Sequence, residues 1–252
     1  MIKSHRFEKI LEMIEQNGIM TIRDLAQILD VTETTIRRDS EELEQQGLLI
    51  RVHGGVKSLK RSTILSSQDE KRMQERTEHY KEKNLVAKRA ASFVNEGDCV
   101  FLDGGSTMLP MLNYLKGKKV RIVSHSTLLA DNFEDDTSEF YLLGGKYIYQ
   151  YNMSVGPITL NNLERFNLDH AFIGCAGIDL SRKMVYTAEL ETMAIKAQAL
   201  LLTNHKYLLV DSSKLAVKGF YSFGEFEDFD VIICNEDASI NKEEIPANFI
   251  LI

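Results

Sequence analysis

The chain has 252 residues, 44% of them hydrophobic and 27% charged, with a formal net charge of −7. That length suits one large domain, or a small one joined to a medium one, with apolar content for a full core. The acidic balance excludes wholesale coating of nucleic acid, although it leaves room for a local basic surface. No apolar run reaches the roughly 18 residues of a membrane span. The charged start MIKSHRFEKILEMIEQ lacks the apolar centre of an export signal, so a cytoplasmic protein that engages no membrane is expected. Cys99, Cys175 and Cys234 each lie in a strand-like apolar run without metal-ligand spacing. They read as buried thiols in a reducing compartment, and no metal or other cofactor is expected.

Residues 1–56 read as a winged helix-turn-helix domain. Phe7, Ile10, Leu11 and Ile14 share one face of a first helix, ended by Asn17-Gly18. Ile22, Leu25, Ala26 and Leu29 repeat the spacing in a second helix, with Thr21 as its N-cap. A tight turn at Asp30-Val31 leads to Thr32, which caps a third helix running to about Gln46, and Gly47 stands at a helix C-terminus. Leu48 to Val52 and His53-Gly54-Gly55-Val56 read as a two-stranded wing.

The third helix starts TETTIRRD, with only Ile36 expected to face inward. Hydroxyls and guanidinium groups on its first turns suit the major groove, where threonines and amides hold phosphates and arginine forks meet guanine edges. Thr32, Thr34, Thr35, Arg37 and Arg38, with Arg51, His53 and Gly54 of the wing, are the expected DNA-binding residues. Asp39 is expected to orient Arg38 or to accept a hydrogen bond from cytosine. Lys57, Lys60 and Arg61 extend a second basic cluster beside Arg51, so Glu8, Glu12, Glu15, Glu41, Glu42 and Glu44 must face away from DNA.

The run VTETTIRRDSEELEQQGLLIRVHGG resembles the N-terminal signature of the DeoR family of bacterial transcriptional regulators, V-S-x-x-T-I-R-R-D-L-x-x-L-x-x-x-G-x-L-x-R-x-H-G-G. Thr32 replaces the usual serine and keeps the cap chemistry. Ser40 replaces the usual leucine and removes an inward apolar contact, at a cost of roughly 1–2 kcal/mol on the scale of core truncations.

Residues 57–80 are polar and of mixed charge, and read as a linker that turns helical before Lys83. From 81 to 252, strands alternate with helices, so an α/β domain with a largely parallel sheet is expected. Leu85, Val86, Ala90 and Phe93 mark its first helix, and a helix rich in Ala and Leu spans about 189–203. Four strands end in small or polar groups, at Asp103-Gly104-Gly105-Ser106-Thr107, Ser124-His125-Ser126, Gly174 to Gly177 and Asp211 to Lys214. In open α/β sheets the ligand crevice lies outside the carboxyl ends of the strands, so these loops are expected to converge. Gly104 to Thr107 would offer amides and hydroxyls to a phosphate at a helix N-terminus, Lys214 a cation, and Asp103 and His125 partners for sugar hydroxyls. Taken singly, each loop also reads as a turn or a cap.

This half also resembles the DeoR sensor domain, through D-x-G-[ST]-T at Asp103–Thr107, L-G-G at Leu143–Gly145, A-F-I-G at Ala171–Gly174 and D-S-S-K at Asp211–Lys214. The resemblance implies a fold like ribose-5-phosphate isomerase and the coenzyme A transferases, and a phosphorylated sugar as inducer. The family carries Thr-Asn-Ser where this chain has Ser124-His125-Ser126. It also places a Glu four residues before Lys196, where this chain has Thr192, with Glu191 one step off that face. Asp103, Gly104, Gly105, Ser106, Thr107, Ser124, His125, Ser126, Gly177, Glu191, Lys196 and Lys214 are therefore the expected effector-binding residues. The expectation is a DNA-binding regulator of sugar metabolism, repressor rather than activator, working as a homo-oligomer (dimer or tetramer) on double-stranded operator DNA. The alternatives are a sugar-phosphate isomerase-like enzyme with a tethered DNA-binding domain, and a regulator whose pocket is vestigial.

Overall fold

A computed structural model of the chain describes residues 3–17, 19–46, 48–52, 55–58, 72–215, 217–219, 221–237, 240 and 245–252. The chain divides into two compact units, Met1–Ser62 and Thr63–Ile252.

In the first unit α1 (Lys3–Asn17), α2 (Ile22–Ile28) and α3 (Glu33–Gln45) accompany a three-stranded sheet of β1 (Ile19–Thr21), β2 (Leu49–Val52) and β3 (Gly55–Ser58), in the order β1-β3-β2. Ile10, Ile14, Leu25, Leu29, Ile36, Leu43, Leu49 and Val56 form its core, as the helical spacing requires. Thr21 caps α2 by accepting the Asp24 N–H at 3.0 Å, and Thr32 caps α3 by accepting the Thr35 N–H at 3.2 Å. Asp30 takes a left-handed φ of 52° in the turn between them, a conformation Asp adopts more readily than most residues. Strand β1 is not foreseen from sequence, because three residues are too few for an alternation to register. Gly18, Gly47, His53, Gly54, Lys60 and Arg61 lie outside the described residues.

Two inward residues of α3 differ from expectation. Asp39 is buried and holds Arg6 of α1 through both carboxylate oxygens, one of them at 3.1 Å, so it neither orients Arg38 nor faces outward. Ser40 is fully buried, and its hydroxyl finds no partner among the described residues.

The second unit is built on a seven-stranded sheet in the order β15-β14-β12-β9-β4-β5-β6. Its strands are β4 (Cys99–Leu102), β5 (Arg121–Ser124), β6 (Glu139–Leu142), β9 (Leu168–Gly174), β12 (Thr203–Val210), β14 (Val231–Cys234) and β15 (Phe249–Leu251), and every pairing is parallel. Alternate residues serve opposite faces: Val100 and Leu102 join one core cluster and Phe101 the other. Burial on both faces explains why these strands read as continuous apolar runs. Residues from α4 (Tyr80–Ala91) and α5 (Leu109–Leu115) cover one face, and residues from α7 (Pro157–Leu163) and α8 (Leu190–Leu202) the other. The short α6 (Thr127–Asp131) follows β5. The inward face of α4 is Lys83, Val86, Ala87 and Ala90; Leu85, expected inside, is exposed, and Phe93 falls beyond the helix.

A hairpin of β7 (Lys146–Ile148) and β8 (Met153–Val155), and an antiparallel sheet of β10 (Gly177–Asp179), β11 (Met184–Thr187) and β13 (Tyr221–Glu225), are further elements the sequence does not announce. Part of the expected linker also belongs to this unit: the Met73 N–H donates to the Gln150 carbonyl at 3.0 Å, and Met73 is buried against Leu128 and Met153.

The unpartnered hydroxyl of Ser40 gives a direct test. Ser40→Ala is expected to leave the fold intact and stabilise the first unit by about 1 kcal/mol, because a buried donor without a partner carries a desolvation penalty. Denaturant melts of the two proteins, compared at the midpoint, would show a loss instead if that hydroxyl were satisfied.

Candidate functional site

On the first unit, the start of α3 presents Thr34, Arg37 and Arg38 to solvent. The Thr32 hydroxyl caps the helix by accepting the Thr35 N–H, and the Thr35 hydroxyl lies 2.9 Å from it. The Arg37 guanidinium lies 3.3 Å from Glu33, one turn back. Arg38 makes no ion pair among the described residues. Arg51 of the wing sits 3.8 Å from both Glu41 and Glu44, so two of the acids expected to face away instead temper the wing's charge. Arg38 and Thr34 are without an ion pair or side-chain hydrogen bond among the described residues.

On the second unit, the four polar loops follow β4, β5, β9 and β12, which are consecutive neighbours in the sheet and parallel, so all four loops leave the same edge. The chain moves outward through β4, β5 and β6, then returns to place β9 on the other side of β4. The crevice therefore opens at the switch point between β4 and β9.

Asp103 stands at the end of β4 and is 1% exposed. One carboxylate oxygen accepts from the Lys196 ammonium and, at 3.0 Å, from the Gly174 N–H; the other lies 3.4 Å from His125 Nε2. Burial alone would push this carboxyl up, but Lys196 and His125 together hold it well below the usual carboxylate range. Lys196 also donates to the Gly174 carbonyl at 2.8 Å. The His125 ring is fully buried, with Nδ1 donating to the Ser154 carbonyl at 2.9 Å. Asp103, His125 and Lys196 thus join one another; the expectation that Asp103 and His125 reach out to sugar hydroxyls is replaced by an internal lock.

Other expected residues prove structural. The Ser124 hydroxyl accepts the Ser126 N–H at 3.1 Å, and the Ser126 hydroxyl caps α6 through the Leu129 N–H at 3.3 Å. Gly104 is required by packing, since a Cβ there would overlap the Met153 side chain, and Gly177 because a Cβ would meet the Val217 carbonyl. Glu191 pairs with Lys146 at 2.9 Å, apart from the Asp103 cluster, while Thr192 faces inward with its hydroxyl on the Glu189 carbonyl at 2.9 Å. Gly105 and Ser106 stay half-exposed and Thr107 is buried; α5 begins only at Leu109, so the loop precedes the helix rather than forming its first turn.

Lys214 donates to the Cys175 carbonyl at 2.8 Å and lies 3.6 Å from Asp211. Burial pushes its ammonium down, but Asp211 and Cys175 together raise it overall. Burial pushes the Cys175 thiol up to about 11 and Cys234 up to about 12, so neither thiol is a ready nucleophile. No group of three metal-ligating side chains occurs among the described residues.

The sequence reading missed Lys83. Its signal was available: Lys83, Val86, Ala87 and Ala90 fall at i, i+3, i+4 and i+7, which places a lysine on the apolar face of a helix.

A winged helix with an exposed polar third helix, followed by an α/β unit with a charged crevice at its strand ends, defines a two-part transcriptional regulator. Residues 6–62 match the DeoR-like helix-turn-helix domain and residues 78–236 the DeoR C-terminal sensor domain, and the chain belongs to the DeoR family. It is 31% identical to an uncharacterized HTH-type transcriptional regulator, FruR, of Bacillus subtilis (strain 168), over 92% of this chain and 91% of that one. It is 32% identical to a lactose phosphotransferase system repressor of Lactococcus lactis subsp. lactis, over 85% of this chain and 84% of that one. The HTH-type transcriptional repressor GlcR of Bacillus subtilis (strain 168) is 30% identical, over 92% of this chain and 88% of that one. Among solved structures, ribose 5 phosphate isomerase A from Neisseria gonorrhoeae is similar with a TM-score of 0.37 and 18% identity, over 54% of this chain and 53% of that one. The delta subunit of eIF2B from Chaetomium thermophilum is similar with a TM-score of 0.42 and 15% identity, over 61% and 59%. Among the described residues no helix is long and apolar enough to cross a membrane.

The Asp103 lock should show in stability. Asp103→Asn leaves Lys196 buried without its counter-charge and is expected to cost about 3–5 kcal/mol at neutral pH. Because the folded-state pKa of Asp103 lies below its unfolded value, its contribution is complete above about pH 4 and is lost as the pH falls toward the folded pKa. The gap between wild type and Asp103→Asn in denaturant melts should therefore narrow below about pH 4. A gap constant with pH would contradict the lock.

Proposed function

We propose that the protein represses a sugar-metabolism operon and that a phosphorylated sugar, bound in the crevice of the second unit, controls its grip on operator DNA. The observation that carries this reading is the exposed Arg38 on α3, without an ion pair among the described residues, in a chain that also holds Lys196 and Lys214 at the strand ends. The relatives named as repressors of lactose phosphotransferase systems, and GlcR, support the sugar connection. The reading needs no cofactor, places the protein in the cytoplasm, and has it act as a homo-oligomer, dimer or tetramer, on repeated half-sites of double-stranded DNA.

Binding rather than turnover is favoured by the state of the carboxylates. A general base needs a pKa near the working pH and access to the proton it takes. Asp103 is buried, bound to Lys196, and held far below that range, while Glu191 is tied to Lys146. A phosphosugar in this crevice would meet ammonium groups and amides, which hold it without reacting with it.

Two measurements check the reading. Arg38→Ala is expected to weaken specific operator binding by about 1–3 kcal/mol, and Arg37→Ala by less because Glu33 already shares Arg37; log affinity should also fall steeply with log salt as phosphate contacts release counterions. Equal affinities for wild type and Arg38→Ala would remove α3 from the major groove. In thermal melts against paired panels of sugars and their phosphates, the matching phosphosugar at a hundredfold excess over its Kd should stabilise the protein by about 2.7 kcal/mol, and the bare sugar should not. Silence across the whole panel would overturn the effector assignment.

A further inference from the structure

The seven-stranded sheet is finished differently at its two edges. At β15, Phe249, Ile250 and Leu251 are all half-buried. At β6, Glu139, Tyr141 and Leu142 are exposed and only Phe140 is half-buried. Tyr141 keeps 40% and Leu142 46% of its surface in solvent. Among the described residues no strand pairs with the outer side of β6. A bare row of N–H and C=O groups invites another strand, and natural edges are blunted by lysine, proline or a bulge. The run Glu139-Phe140-Tyr141-Leu142 has none of these, and its register with β5 is regular.

The hydrogen bonds to β5 fix which backbone groups are bare. The Glu139 N–H donates to the Val120 carbonyl at 2.9 Å, and the Leu143 N–H to the Ser124 carbonyl at 2.8 Å. Alternate residues of a strand turn their backbone groups to opposite sides, so Tyr141 also points to β5, while Phe140 and Leu142 turn N–H and C=O to the free side. That spacing is self-complementary. When two such strands lie antiparallel with Phe140 of each opposite Leu142 of the other, each pair exchanges both hydrogen bonds and every bare group finds a partner. The two-fold axis then passes beside Tyr141, which faces the Tyr141 of the second copy in a non-hydrogen-bonded pair.

The side chains fit the same register. Glu139, Tyr141 and Leu143 share one face of the strand, and Tyr141 meets Phe166 on it, ring centroids 5.4 Å apart. A groove of about 450 Å³ runs beside the strand, with Tyr141, Leu143, Arg165 and Phe166 in its wall. Arg165 has no ion pair among the described residues. In the antiparallel register Glu139 of one copy lies opposite Leu143 of the other, and so comes to the groove that holds Arg165. The two-fold repeats that contact, so acid meets base at both ends of the pairing.

We propose that β6 is the surface at which two copies of this chain join, antiparallel about Tyr141, so that their sheets continue as one. This rests on the homo-oligomer reading above and gives that oligomer its interface.

The test uses the full chain. Tyr141→Cys is expected to link two copies through a disulfide when a thiol oxidant is added, because facing residues of a non-hydrogen-bonded pair have Cα atoms about 4.5 Å apart, within disulfide reach. The native thiols of Cys99, Cys175 and Cys234 are buried. Glu139→Cys, which faces Leu143 rather than itself, should stay unlinked. In sedimentation velocity, Tyr141→Lys should weaken association at least tenfold, since like charges then stand directly opposite, and Tyr141→Phe should stay within a few-fold of wild type. The amides of Phe140 and Leu142 should exchange slowly in the assembled wild type and fast after dilution to monomer, a readout that needs no variant to fold. An assembled wild type whose Phe140 and Leu142 amides exchange freely, undiminished association of Tyr141→Lys, or linking of Glu139→Cys as ready as that of Tyr141→Cys would overturn this interface and leave the oligomer reading standing. A wild type that stays monomeric at every concentration would overturn both.

Discussion

The second unit depends on a charge that it buries. Asp103 ends β4 beside the switch point of the sheet, and its carboxylate ties together three elements that follow far apart in sequence: Gly174 at the end of β9, His125 after β5, and Lys196 in the middle of α8. Each partner supplies a donor, so the cost of burying the carboxylate is offset by paired charge and hydrogen bonds rather than by solvent. A side effect is geometric. With both carboxylate oxygens engaged inside the unit, Asp103 is not free to accept from a ligand.

The DNA-binding unit uses the same device on a smaller scale. Asp39 faces into the unit from α3 and holds Arg6 of α1, fixing the rotation of α3 about its axis. With Asp39 and Ile36 inside, the helical period sends Thr34, Arg37 and Arg38 outward. The surrounding acids are distributed rather than removed: Glu33 lies by Arg37, Glu42 by Lys3, and Glu41 and Glu44 by Arg51. Exposed pairs of this kind contribute little to stability. Their effect is on the field that DNA meets, and in a chain with a net charge of −7 they leave Arg38 exposed without an ion pair among the described residues.

What the sequence disclosed follows from which signals are local. Thr21 and Thr32 were legible as caps because a cap is a contact over three residues. The loops after β4, β5, β9 and β12 were legible as one crevice because a parallel sheet sends all its carboxyl ends to one edge. The role of Asp103 was not, because nothing in D-G-G-S-T tells whether a carboxylate faces a ligand or a lysine 93 residues away. Asp39 was misread for the same reason, its partner being 33 residues distant in α1. Lys83 was passed over because a lysine in a charged stretch looks solvated until the apolar residues at i+3, i+4 and i+7 are set beside it. The antiparallel sheet of β10, β11 and β13 is spelled in strands of three to five residues around Gly177 and Gly224, too short for alternation to stand out.

A regulator of this build switches only where its ligand tells two states apart. A ligand shifts an equilibrium only by the difference between its affinities for those states, and moving a population from 1:99 to 99:1 takes about a 10⁴-fold difference. Asp103, Lys196 and the Gly174 backbone hold one another, so contacts to them add affinity equally in every state that keeps the lock. The differential has to come from groups outside it.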